Sequence, residues 1–221
     1  ANGVISITIS DDNLSEEFFI GTQSAEIALA LSDGNNEITS EYIPISPYHP
    51  YNEIWYTSAN GEIITPKSTN FGANIVSNTY QNGKGIIRCD GAVTTIGDNA
   101  FSDKYRTLLS VILPPSVTTI GNKAFSNCYD LSIVIPKNVT SFGSNPFERC
   151  GGVVTVNCNI PSLDTSIFTD FTEAIVGAGV TVIGDNAFYG NQKITKISLP
   201  NSLNSIGEDA FYGCVSLVNI V

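Results

Sequence analysis

Few residues in this 221-residue chain could carry acid, base or nucleophilic chemistry. Its single histidine, His49, lies between Tyr48 and Pro50, with no cysteine nearby. A zinc site needs several clustered ligands, and a histidine that activates a nucleophile needs a partner to orient it. The chain also lacks methionine, a phosphate-binding glycine loop and the His-Glu-x-x-His, Cys-x-x-Cys and Gly-x-Ser-x-Gly motifs. We therefore expect His49 to be an ordinary loop residue, and we expect no histidine-based catalysis and no haem or copper site.

Carboxylates offer a remaining route to catalysis, because a pair of them can hydrolyse a glycosidic bond. Asp98, Asp185 and Glu208 each follow an Ile-Gly pair. An active site needs one unique arrangement, whereas a residue that caps a turn is needed in every copy of a repeated unit. The Asp-Asn-Ala-Phe segment also lacks the dense oxygen ligands of a calcium loop. We therefore predict a protein that is not an enzyme, with no metal site and no cofactor.

The carboxylates belong to an internal repeat. The six residues Ile-Gly-Asp-Asn-Ala-Phe occur at 96–101 and again at 183–188, and weaker copies occupy 120–125, 142–147 and 206–211. The steps between their phenylalanines are 24, 22, 41 and 23 residues. The long step predicts a degenerate copy at Ile167-Phe168, which divides it into 21 and 20 residues. Periods in the twenties are typical of leucine-rich-repeat solenoids.

A longer unit surrounds each copy, as in residues 108–128 and 194–214. Its consensus is L-x-x-V-x-L/I-P-x-S-V-T-x-I-G-x-x-A-F-x-x-C. This pattern, over residues 86–221, resembles the BspA-like class of leucine-rich repeats, which is found mainly in surface proteins of Bacteroides-type and other host-associated microbes. The resemblance implies a secreted or cell-surface protein that adheres to host proteins or to other cells.

The repeat predicts an α+β solenoid over residues 86–221. Each coil is expected to be right-handed, with a short strand, a corner at a permissive glycine and a one-turn helix that carries Ala and Phe inwards. Seven strands are expected, the first at Ile86. The corner glycines are Gly97, Gly121, Gly143, Gly184 and Gly207. The inward phenylalanines are Phe101, Phe125, Phe147, Phe188 and Phe211. The predicted helix N-caps are Asp98, Asn122, Ser144 and Asp185.

The five cysteines fit the repeat better than they fit a disulfide framework, because five is an odd number. Cys128, Cys150 and Cys214 share the register after the phenylalanine, and Cys89 and Cys158 fall at an inward strand position. Buried cysteines behave as small apolar residues. The sequence leaves a disulfide bond between Cys128 and Cys150, on adjacent coils, as an alternative, because their expected separation allows one.

The residues before the repeats predict two further segments. Residues 1–50 are interpreted as a small β-rich module, with a strand at 4–9, a strand and hairpin around 24–45, and a proline-rich connector. Residues 51–85 contain Asn60-Gly61 and Asn82-Gly83, which are strong hairpin signals. This segment is predicted to be a β-hairpin cap over the apolar end of the solenoid.

The charge distribution excludes one class of partner and leaves others open. Formal net charge is −11, and residues 1–85 hold ten acids against two lysines. Such acidity argues against nucleic acid. No apolar run is long enough to cross a membrane, and the start, Ala1-Asn2-Gly3, lacks the apolar core of a signal peptide. We expect any export signal to have been removed.

A protein partner is expected on the solvent-facing strand positions, because exposed apolar residues often mark interaction sites. The candidate residues there are Leu109, Ile112, Val134, Lys196 and Ser198. The alternative is a carbohydrate-binding module in which exposed aromatic rings stack on sugars. Its candidate residues are Tyr48, Tyr51, Trp55 and Tyr56.

Overall fold

The computed structural model describes residues 49–221 and, before them, four short strands. The chain forms two compact units, 1–49 and 50–221, which are described separately. In the first, β1 (Ala25–Ile27) pairs antiparallel with β4 (Ile43–Ile45), and β2 (Leu31–Ser32) pairs antiparallel with β3 (Glu37–Ile38). The β2–β3 pair confirms the predicted hairpin. The strand predicted at 4–9 lies outside the described residues.

The second unit is built on one large sheet. Its strands are β5 (Glu53–Ser58), β6 (Ile75–Gln81), β7 (Lys84–Cys89), β9 (Leu108–Ile112), β11 (Ser132–Ile135), β13 (Val153–Val156), β14 (Glu173–Val176), β16 (Lys196–Ser198) and β18 (Asn219–Ile220). Their order across the sheet is β6-β7-β5-β9-β11-β13-β14-β16-β18. From β9 onwards all neighbours are parallel. We number the coils 1 to 6 by their sheet strands β7, β9, β11, β13, β14 and β16.

Short strands on the opposite side of each coil, the return side, complete the solenoid. They are β8 (Thr95–Ile96), β10 (Thr119–Ile120), β12 (Ser141–Phe142), β15 (Val182–Ile183) and β17 (Ser205–Ile206). β8, β10 and β12 form one parallel sheet, and β15 pairs with β17 in another. The solenoid prediction of short parallel strands is therefore confirmed.

Alternation along the sheet strands places the core between the two sides. Val111 pairs with Ile133, and Ile133 pairs with Val154, so that equivalent side chains stack from coil to coil. All three are buried. Because successive strand residues face opposite sides of a sheet, their neighbours point to solvent. Equivalent inward positions of successive coils therefore form the core.

The start of the array differs from the prediction of seven adjacent repeat strands. β5 lies between β7 and β9 and is antiparallel to both. On the return side, β8 pairs directly with β10. The inserted strand contributes Ile54 and Tyr56 to the core, each no more than 1% exposed. Burial of these two side chains stabilises β5 within the sheet. Both of its edges are hydrogen-bonded there.

Only one of the two predicted cap hairpins forms. Asn82 and Gly83 have φ angles of 50° and 79° in the turn between β6 and β7. Two left-handed residues in a two-residue turn are what a type I′ hairpin requires. The hairpin predicted at Asn60-Gly61 is wrong, because residues 62–66 form no strand. Ile64 instead turns inwards and its N–H donates to the Tyr56 hydroxyl at 3.2 Å.

The predicted one-turn helices are also absent, since residues 49–221 contain no helix. Asn99, Lys123 and Asn186 have φ angles of 56°, 51° and 57°. A right-handed helix cannot pass through such residues. The Ala100 N–H donates within its coil, to Gly97, whereas Asn99 and Phe101 donate to the next coil. Hydrogen bonds between coils therefore replace those of a helix. We call this edge of each coil the turn side.

The residues predicted as helix N-caps connect neighbouring coils instead. Asp98 Oδ1 accepts a hydrogen bond from Asn122 N at 2.7 Å, and Asn122 Oδ1 accepts one from Ser144 N at 2.8 Å. Asp185 accepts from Glu208 N in the same way, at 2.7 Å. Each carboxylate or amide thus satisfies a backbone donor one coil further on, because no helix exists for it to cap.

Seven phenylalanines form a continuous stack through the core. Ring centroids are 6.0, 5.3, 5.6, 5.6, 5.0 and 5.2 Å apart from one ring to the next. The members are Phe71, Phe101, Phe125, Phe147, Phe168, Phe188 and Phe211. Phe168 confirms the degenerate repeat copy, and Phe71 extends the stack into the segment before the repeats.

The repeated cysteines are reduced and hydrogen-bonded to the same stack. Cys128 Sγ donates to the carbonyl oxygen of Phe101 at 3.1 Å, and Cys150 Sγ donates to that of Phe125 at 3.0 Å. All five cysteines are free thiols, so the disulfide considered between Cys128 and Cys150 does not form. In coil 5 the buried amide of Asn191 takes the thiol's place and donates to Phe168 O at 2.8 Å.

Candidate binding face

The outward side of the main sheet carries a continuous row of apolar residues. Ile86 pairs with Trp55, Trp55 with Ile112, and Ile112 with Val134, each on a neighbouring strand. All four side chains are partly exposed. We call them the apolar row. It continues through Thr155 to Ile175, which is 37% exposed.

Polar contacts hold the Trp55 ring in place. Its Nε1–H donates to Glu53 Oε2 at 2.6 Å, and Lys84 Nζ lies 3.2 Å from the ring centroid. Arg88 donates to Glu53 Oε1 through Nε at 2.9 Å and through Nη2 at 2.6 Å. The result is an aromatic side chain with a fixed orientation, flanked by two cations and one carboxylate.

Burial and pairing act on the ionisation of these groups in opposite directions. Burial raises the pKa of Glu53, but the hydrogen bonds from Trp55 and Arg88 outweigh it and leave the pKa below its ordinary value. Burial lowers the pKa of Lys84, and the charge of Glu53 partly offsets that effect. Glu53 therefore stays an anion at neutral pH and anchors the surrounding cations.

A second row of polar residues runs beside the apolar row. Thr57 Oγ1 and Ser110 Oγ are 2.7 Å apart at one end. Towards the other end, Lys196 Nζ forms an ion pair with Glu173 Oε1 at 2.7 Å. Small hydroxyl side chains therefore border the apolar row beside Ile112, and a charged pair borders it beside Ile175.

The structure brings together only some of the residues that the sequence predicted as binding residues. Trp55, Ile112 and Val134 are immediate neighbours in the apolar row. Ser198 pairs with Ile175 at the far end, and Lys196 lies in the polar row. Leu109 lies outside both rows, where a bulge shifts the register of β9 against β5.

Tyr56 cannot belong to this face, which corrects its assignment as a binding residue. Its side chain is 1% exposed, and its hydroxyl donates to Asn78 Oδ1 at 2.8 Å. Burial also raises its pKa. Adjacent strand residues point to opposite faces, so an outward Trp55 requires an inward Tyr56.

The proposed carbohydrate-binding aromatics are therefore not assembled on one surface. Tyr51 is 56% exposed and precedes β5. Trp55 and Tyr56 point to opposite sides of the sheet, and Tyr48 lies outside the described residues. Among the three described aromatic residues, Trp55 and Tyr56 share no surface that could serve as an aromatic platform for a sugar.

Sequence reasoning missed Ile86 and Lys84 as members of the face. Their alternation in Lys-Gly-Ile-Ile-Arg-Cys was readable, since residues 84, 86 and 88 share one side of a strand. The position of β5 beside them could not be predicted from the sequence, because it depends on pairing between distant segments.

The part of the chain that the structure describes has neither a cluster of metal ligands nor a membrane-spanning helix. Between residue 49 and the C-terminal valine, and in the four short strands before it, no group of three or more metal-ligating side chains is close enough to hold an ion. The same residues include no helix that could span a membrane.

Comparison with known proteins identifies the repeats. Residues 167–221 match the family model described as "BspA type Leucine rich repeat region (6 copies)". The resemblance to BspA-type repeats is confirmed over these residues. The matched segment includes Ile175, Lys196 and Ser198, whereas the four members of the apolar row lie before it.

A solved structure with likeness to the chain is a leucine-rich repeat protein from Bacteroides ovatus ATCC 8483, determined at 1.19 Å resolution. The two are 19% identical, with a TM-score of 0.37, and the comparison covers 92% of this chain. The chain spans only about half of that protein, 53% of its length. No curated protein matches the chain. The likeness to BspA-type repeats thus concerns residues 167–221.

Proposed function

We propose that this protein is a non-enzymatic scaffold that binds another protein through the strand side of its solenoid. One observation carries the proposal: four neighbouring strands place Ile86, Trp55, Ile112 and Val134 side by side on an outward face. Exposed apolar patches often mark protein interaction sites, and tryptophan is enriched among the residues that dominate binding energy. Repeat arrays provide extended surfaces of this kind.

The charges around Trp55 favour a particular partner chemistry. Within residues 49–221, the two cations Lys84 and Arg88 interact with one carboxylate, Glu53, so these three groups carry a net positive charge in a chain of net charge −11. A partner segment with apolar side chains and a nearby carboxylate would complement both features. An exported or cell-surface location, and adhesion to host proteins or to other cells, follow from the family likeness and are part of the proposal.

The test is a double substitution in the apolar row. Ile112→Asp with Val134→Asp should leave the fold intact, because both side chains point outwards, and should abolish binding to immobilised extracellular-matrix proteins and host-cell surface proteins. Val182→Asp is the matched control, since Val182 is an outward residue of the return side, 36% exposed. Full affinity in the double variant, or no binding of the unmodified protein to any of this panel, would overturn the proposal.

A further inference from the structure

Coil 4 has a longer segment than coil 5 between the return side and the stacked phenylalanine. Nine residues run from Ile160 to Phe168, whereas six run from Ile183 to Phe188 in coil 5. Pro161 stands where the other coils have their corner glycine. On the return side one sheet ends at β12 and the next begins at β15, to which coil 4 contributes only the bridge between Ile160 and Ile183.

The hydrogen bonds of the turn side are interrupted where this longer segment of coil 4 lies. Phe125 N donates to Pro146 O, and Phe188 N donates to Ala210 O, each at 2.8 Å across two adjacent coils. Within residues 49–221, no equivalent bond joins the phenylalanine of coil 3 to coil 4. A side chain makes the connection instead, as Arg149 N donates to Asp170 Oδ2 at 3.1 Å.

A cleft of about 350 Å³ opens at this interruption. Its volume falls within the range of about 300–1,000 Å³ that is common for small-molecule sites. Both walls are polar, one from coil 3 and one from coil 4. The lining residues are Asn145, Glu148, Arg149, Ser166, Ile167, Thr169 and Asp170.

The charges in and beside the cleft balance. Asp170 Oδ1 forms an ion pair with Lys193 Nζ at 2.7 Å, and Asp170 Oδ2 also accepts from Thr169 Oγ1 at 2.9 Å. Burial raises the pKa of Asp170, but these contacts outweigh it and keep the group charged. Glu148 and Arg149 add one charge of each sign, and neither forms an ion pair within residues 49–221. The four groups sum to zero.

The balance of two acidic and two basic side chains in and beside the cleft disfavours a ligand with a net charge. Two carboxylates disfavour a phosphate or carboxylate ligand, and the lysine and arginine disfavour a cation. Amide, hydroxyl, guanidinium and carboxylate groups together offer donors and acceptors at close spacing. A ligand that complements them is neutral and rich in hydroxyl groups.

We propose that the cleft between coils 3 and 4 binds a neutral saccharide. Glu148 and Asp170 accept hydrogen bonds from its hydroxyl groups, and Arg149 and Asn145 donate to its oxygens. The site lies on the turn side and contains none of the four aromatic residues considered above for sugar binding. It is independent of the protein-binding face, so the two can be tested separately.

The experiment is saturation-transfer NMR of the full chain with a panel of neutral mono- and disaccharides. Those saccharides that bind are then titrated. Arg149→Ala keeps the main-chain N–H that Asp170 accepts from and should preserve the fold. It should weaken binding about tenfold or more, as expected for loss of a charged hydrogen-bond donor. Glu148→Gln should weaken it as well.

Asp130→Asn is the matched control, because Asp130 also pairs with a cation on the surface, Arg106 at 2.8 Å, but lies in coil 2. It should bind like the unmodified protein. The proposal is overturned if no saccharide in the panel binds, if Arg149→Ala binds as tightly as the control, or if only phosphorylated or carboxylated sugars bind.

Discussion

A Cβ atom on Gly121 would lie 2.5 Å from Oδ1 of Asp98 on the preceding coil. Gly207 has the same relationship with Asp185, at 2.2 Å. Neither glycine has a left-handed φ angle. Close packing of the coils, and not the backbone freedom predicted from the sequence, therefore requires glycine at this corner.

Gly121→Ala should destabilise the protein, because its Cβ would also lie 2.8 Å from the backbone N of Asp98. A backbone atom cannot shift without a cost in folding free energy. Overpacking of this kind typically costs about 1–3 kcal/mol. Urea unfolding followed by circular dichroism measures the loss. Gly91→Ala is the control, since its Cβ would meet only Ala73 Cβ at 3.5 Å. Equal midpoints for the two variants would contradict the packing argument.

Phe168→Ala should be among the most destabilising substitutions in the array. Its ring lies 5.6 Å from Phe147 and 5.0 Å from Phe188, and its side chain is fully buried. Truncation of such a residue costs about 3–5 kcal/mol. Phe211→Ala, at the half-buried end of the stack, should cost less in the same denaturation experiment. The reverse order would show that coil 4 is not packed as described.

The buried thiols should resist modification. Burial raises the pKa of Cys128 from 9.0 to about 12 and that of Cys150 well above 9.0. The thiolate is the reactive form, so a disulfide reagent at pH 8 should label the native protein slowly and all five cysteines in urea. Cys214, which is half-buried, should react first. Rapid labelling of several thiols without urea would be inconsistent with the core.

The same pKa shifts predict a loss of stability in alkali. A thiol whose pKa is higher in the folded than in the unfolded state stabilises the fold below the unfolded value. That contribution is lost as pH rises from about 9 through the folded value of about 12 for Cys128. Unfolding midpoints should therefore fall in this range, and Cys128→Ala should reduce the fall.

Trp55 should report on the ionisation of Glu53. The pKa of Glu53 is below its ordinary 4.5 in the fold, so its contribution to stability is present above that value and is lost as pH falls through the folded pKa. Trp55 is the single tryptophan of the chain, so its emission is specific. It should change in acid in the native protein and resemble the acid form at neutral pH in Glu53→Gln. An unchanged spectrum in that variant would refute the coupling.

The sequence was most informative where the structure repeats. Phe168 was predictable from spacing alone, and the inward position of Val111 followed from alternation. The turn conformation was partly readable, because Asn tolerates a left-handed backbone and stands at positions 99 and 186. Lys123, which adopts the same conformation, gives no such signal.

The candidate face was less predictable, for a physical reason. Ile112 and Val134 are one repeat apart and share a register, so their adjacency follows from the period. Trp55 joins them only because β5 pairs with β9, a contact between segments about fifty residues apart that no local pattern encodes. The cleft beside Asp170 likewise lies beside the segment from Ile160 to Phe168, which is three residues longer than its counterpart in coil 5, and the effect of those residues on packing has no sequence signature.

The insertion of β5 has a consequence for how the array can change in length. Because β5 is hydrogen-bonded to β7 on one edge and β9 on the other, coil 1 meets coil 2 directly on the return side and the turn side but not in the main sheet. A duplicated coil placed between them would have to displace a strand that belongs to neither. A coil added or lost between β9 and β16 would meet only parallel neighbours of its own kind. Variation in copy number among related chains should therefore fall after coil 2, with the junction of the first two coils kept as a unit.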